Sequence, residues 1–97
     1  MAAKVRVLVQ THWGTSYHAA SEEGKKEMRE KQQQFLTSWK EAGIELVGDF
    51  HAYGDGVGGY SHHLLFDVDD LETVTRMNSD IFQAGIYQRH AIHVGSP

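Results

Sequence analysis

The chain has 97 residues, no cysteine and a formal net charge of −4, which allows one domain with a core of limited size and excludes disulfides, thiolate catalysis and cysteine-type zinc sites. An acidic balance without a Lys/Arg stripe argues against a nucleic-acid partner. No apolar run nears the roughly 18 to 20 residues that span a bilayer, and the opening residues run into a strand pattern rather than a secretory signal, so a cytoplasmic protein with no membrane partner is expected.

Val5, Val7 and Val9 alternate with Arg6, Leu8 and Gln10, which predicts a first strand from about Lys4 to His12. Residues 13–20 show no period and read as a loop. Ser21, followed by Glu22 and Glu23, fits an N-cap with an acidic first turn. Met28, Gln32, Phe35, Trp39 and Ala42 then recur at spacings of three and four, predicting an amphipathic helix with Gly43 at its C′ position. Alternation returns from Ile44 to Tyr53 and from Tyr60 to Val68, around a glycine-rich turn at residues 54–59, and predicts a hairpin. No helix follows those glycines, so they do not form a phosphate cradle. Asp69 or Asp70 caps a second helix through Leu71, Met77 and Phe82 to about Gly85, and a last strand runs from Tyr87 to Val94.

The order is βαββαβ, so residues 1–97 are read as a single ferredoxin-like α+β domain: a four-stranded antiparallel sheet, strand order 4-1-3-2, with two helices on one face. Seven histidines fall in this short chain, and histidine both titrates near neutral pH and ligates metals. Period-two alternation assigns Val5, Val7, Val9, Leu46, Phe50, Leu64, Phe66 and Val68 to the helix side. Gln10, His12, Asp49, His51, Tyr53, Ser61, His63, Tyr87, Arg89 and His93 fall to the other side. His63 is expected opposite His51 or Asp49 across the hairpin. His62 and His90 have helix-side parity and read as structural, while His18 lies in the loop with Trp13 and Tyr17.

The strand ending Leu64-Leu65-Phe66-Asp67-Val68-Asp69-Asp70 and the helical stretch Asn78-Ser79-Asp80-Ile81-Phe82-Gln83-Ala84 are similar to segments of the dimeric α+β-barrel superfamily, within it the antibiotic-biosynthesis-monooxygenase-like domains. That resemblance implies a homodimer whose two sheets pair into a barrel enclosing a small aromatic or polyketide-like molecule, with heme in some members. Ile86 stands where the heme-degrading members carry their axial histidine, and Arg76 where they carry a helix tryptophan.

The leading functional expectation is an enzyme acting on a small aromatic or enolisable substrate by proton transfer or cofactor-free oxygenation. His51 or His63 is its base, Asp49 orients the imidazole, and Tyr53 or Arg89 holds the developing oxyanion. Gln10, His12, Trp13, Tyr87 and Arg89 are the expected substrate contacts. A second reading is a divalent metal or heme site on His12, His51 and His63 with Asp49, since imidazoles and a carboxylate are the donor set of zinc, iron(II) and copper. A third is a non-catalytic ligand-binding or assembly module.

Overall fold

The computed structural model describes residues 4–51 and 59–97. Its elements are β1 (Val5–His12), α1 (Gly14–His18), α2 (Glu22–Glu41), β2 (Glu45–His51), β3 (His62–Val68), α3 (Leu71–Ala84) and β4 (Arg89–Gly95). The expected loop after β1 holds one helical turn, α1, and Trp13 just before it meets Tyr17 within it, four residues on, with their rings 4.4 Å apart. Gly14 opens that turn at φ 74°, and a Cβ there would lie 1.9 Å from Gln88 Oε1, so both conformation and space select glycine.

The two long helices are bounded as their sequences require. Ser21 Oγ accepts the Gly24 N–H at 3.1 Å, and Asp70 Oδ1 accepts the Thr73 N–H at 2.8 Å, each satisfying a donor that the first turn leaves free. Gly85, at φ 61°, ends α3 in the left-handed conformation.

All three strand pairings are antiparallel, in the order β2-β3-β1-β4, which is the order expected from the sequence. Val7 and Val9 of β1, Leu64, Phe66 and Val68 of β3, Phe35 and Trp39 of α2, and Met77 and Ile81 of α3 make up most of the core, closed by Ile44 and Ile86. No residue of β2 belongs to it. The helices cover the middle of the sheet, and β2 extends beyond them with Leu46, Val47 and Phe50 all exposed.

Two expectations are corrected. The sheet is open, with β2 and β4 each hydrogen-bonded on one side only, and is not closed into a barrel. The second correction concerns β2. Leu46 pairs with Phe66, but Gly48 pairs with Leu65, so Val47 is an extra residue and the strand bulges. Because side chains alternate with period two, one inserted residue exchanges the faces of everything beyond it. Asp49 and His51 therefore turn to the helix side and Phe50 to the open side. Among the described residues no helix is long and apolar enough to cross a membrane.

Candidate functional site

Beyond the bulge, Asp49 stands opposite Leu64 and His51 opposite His62. Asp49, His51 and His62 thereby gather on the helix side of the uncovered sheet edge, with one potential ligand atom from each lying within 4.8 Å of the others. The His51 and His62 rings are stacked, 4.0 Å between centroids and 13° from parallel. His62 Nε2 lies 2.6 Å from Asp49 Oδ1, a short charge-assisted contact.

His62 is only 6 % exposed, whereas Asp49 and His51 are open to solvent. Burial disfavours the imidazolium and pushes its pKa below the ordinary histidine value, against the opposing hydrogen bond from Asp49 and with a smaller push from His51. A neutral ring donating Nε2–H to the carboxylate is the resulting state at neutral pH. His90 is shifted the same way, by burial alone.

Both shifts have a consequence for stability. A histidine whose folded pKa lies below its unfolded value stabilises the fold fully above the unfolded pKa, about 6.5, and loses that contribution as pH falls toward the folded value. The metal-free protein is thus expected to lose thermal stability as pH is lowered from about 7 to about 5. Melting curves in the presence of a chelator check this, and His62→Gln should flatten the slope; a midpoint that rises on acidification in this range contradicts it. Asp67 and Asp70, whose pKa values are held down by Arg6 and by Thr73 respectively, titrate below this window.

The other sequence-expected residues are dispersed. His63 lies on the open face, its ring stacked on Phe50 at 5.0 Å and its Nδ1 3.2 Å from Gln10 Nε2; Gln10 Oε1 in turn accepts from His93 Nε2 at 2.9 Å. His12 pairs in register with Arg89, and its Nδ1 is buried without a hydrogen-bond partner among the described residues. Arg89 donates to the Gly59 carbonyl from Nε at 2.9 Å. Tyr87 packs on Trp13 at 5.0 Å and donates its hydroxyl to Gln32, and burial raises its pKa. Tyr53 lies outside the described residues. The expected convergence of His12, His51 and His63 on one face is therefore not formed: His51 is on the helix side and His63 on the open side.

Sequence reading missed His62 as a member of the cluster, because its parity was taken to point into a covered core. The one available signal was Gly48, an isolated glycine within a strand pattern, which marks bulges.

No protein-family model, curated protein or solved structure matches this chain. The resemblance to the antibiotic-biosynthesis-monooxygenase-like domains is thus without support, and the monooxygenase-like assignment falls with the barrel that carried it.

Proposed function

We propose that this protein binds a divalent transition-metal ion of the zinc class through Asp49, His51 and His62. The reading is carried by the convergence of two imidazoles and one carboxylate within 4.8 Å, a donor set that suits zinc or iron(II). Two further observations support it. His62 is held neutral by burial, so protons compete weakly for its lone pair. Asp49 and His51 are exposed, so an ion would have access to them from solvent.

Three protein ligands leave room for water or a small oxygen-donor substrate, the arrangement of catalytic rather than structural zinc sites. A bound ion would supply Lewis acidity and lower the pKa of a coordinated water. For His62 to present Nε2 to an ion, its ring hydrogen would have to sit on Nδ1, the other neutral tautomer, which would leave the Asp49 carboxylate free as a second donor.

Calorimetric titration of the metal-free protein with zinc chloride is expected to show one equivalent bound. His51→Ala and Asp49→Asn, both at exposed positions, should each weaken binding by about tenfold or more. His93→Ala, outside the cluster, should leave it unchanged. Equal affinity in all four proteins would remove the site. If catalytic activity were found and survived complete chelation, it would instead favour the Asp49–His62 pair as a metal-free acid–base couple.

A further inference from the structure

The two edges of the sheet are protected to different degrees. β2 closes its side with a bulge at Val47 and two carboxylates, Glu45 and Asp49, which are the usual obstacles to further strand pairing. β4, at the other end of the strand order, has neither. Its residues pair with β1 in unbroken register from Arg89↔His12 to Gly95↔Arg6, and they include no proline, no lysine and no acid. A regular strand without those features, paired on one side only among the described residues, presents a row of backbone N–H and C=O groups that another strand satisfies as a set.

The sequence of β4 decides what kind of strand fits. Placing a second copy antiparallel about Ile92 sets Ile92 opposite its own copy, His90 opposite Val94, Ala91 opposite His93 and Arg89 opposite Gly95. Residues opposite one another share a face, so His90, Ile92 and Val94, on the helix side of each copy, continue as one row. Each guanidinium meets a glycine and no like charges face each other, although the chain as a whole carries −4. Ala91 leaves space for the His93 ring, whose Nε2 lies 2.9 Å from Gln10 Oε1 of its own chain. Beside the strand, Val94 is 47 % exposed and Phe82 of α3 is 69 % exposed. They flank a groove of mixed lining, with Thr75 and Asn78 beside Val74. A pairing led by backbone hydrogen bonds requires no more apolar a surface than that.

We infer that β4 is a self-association edge: two copies of this chain join β4 to β4, antiparallel about Ile92, into one continuous sheet twice as wide, with the helices of both copies on the same side. The open faces stay free, so the sheets extend one another and do not stack into a barrel. This inference does not depend on the metal reading, since that cluster involves β2 and β3 and β4 lies at the other end of the strand order.

Sedimentation and amide hydrogen exchange of the full chain, with a chelator present, test it. The expected result is a reversible dimer with a Kd on the order of 100 µM, weak because one strand pair buries less than a standard interface. Alternate amides within residues 89–95 should exchange more slowly as concentration rises. Val94→Lys, at a half-exposed position, should weaken the dimer about tenfold or more. Cysteine pairing reads the register without added charge, and the chain has no cysteine to compete. Ala91→Cys mixed with His93→Cys should cross-link under mild oxidation faster than either protein alone. A monomer at about ten times that Kd overturns the inference. So does a dimer whose β4 amides exchange at the monomer rate, one that Val94→Lys leaves intact, or one whose cross-linking shows no preference for the mixed pair.

Discussion

Zinc at about 100 times its Kd is expected to raise the thermal midpoint of the metal-free protein by about 10 °C, because a ligand at that excess adds about 2.7 kcal/mol to the folded state and 1 kcal/mol is worth about 4 °C in a domain of this size. The ion would tie β2 to β3 through side chains, in addition to their antiparallel pairing. Asp49 and His51 belong to β2 and His62 to β3, and β2 contributes nothing to the buried core. Magnesium makes a sharp control, since it prefers oxygen ligands and near-octahedral geometry. Differential scanning calorimetry of wild type, His51→Ala and Asp49→Asn decides the matter: a midpoint that zinc leaves in place, or moves as far in the variants as in wild type, refutes the metal reading.

Trp39→Ala is expected to be the most damaging single substitution outside the site, at about 3–5 kcal/mol, the usual range for truncating a large buried aromatic. Trp39 is 1 % exposed and packs on Phe35 at 4.9 Å and on Phe66 at 5.4 Å, so it joins α2 to the sheet. Its Nε1–H also donates to Asp80 Oδ2 at 2.8 Å, tying α2 to α3. Truncation leaves a cavity and removes that donor together. Trp39→Phe separates the two losses and should cost less, retaining an aromatic ring while losing the hydrogen bond. Since domains are typically stable by only about 5–15 kcal/mol, urea denaturation will register the alanine variant as a large drop in midpoint. A loss below about 1 kcal/mol would mean that the α2–sheet contact is not what stabilises the fold.

How much of this was legible in the sequence differs from element to element. Ser21 with Glu22 and Glu23 announced the start of α2, and Asp69 or Asp70 with Gly85 bracketed α3, of which Asp70 is the cap, because capping is a local matter of one side chain and a few backbone groups. The valines of β1 and the Leu64, Phe66 and Val68 set of β3 were assigned to the covered face correctly, since those strands alternate without interruption. In α1 the local signal was weak: five residues after a glycine carry too little period to distinguish a turn of helix from a loop.

The site was read less well than the fold for a definite reason. Asp49 and His51 were named as functional residues, but their partner was taken to be His63 and is His62. A sequence states the period of a strand but not where a residue is inserted into it, and a single bulge at Val47 reverses the facing of every side chain that follows. Amino-acid order by itself determined the four strands and the two long helices, the caps of those helices, the strand order through βαββαβ connectivity, and a histidine-rich hairpin. Only the tertiary structure decided which histidines share a face, that β2 lies outside the helical cover, and that the sheet remains open. Those are properties of register and layer packing, fixed by contacts between residues distant in the chain.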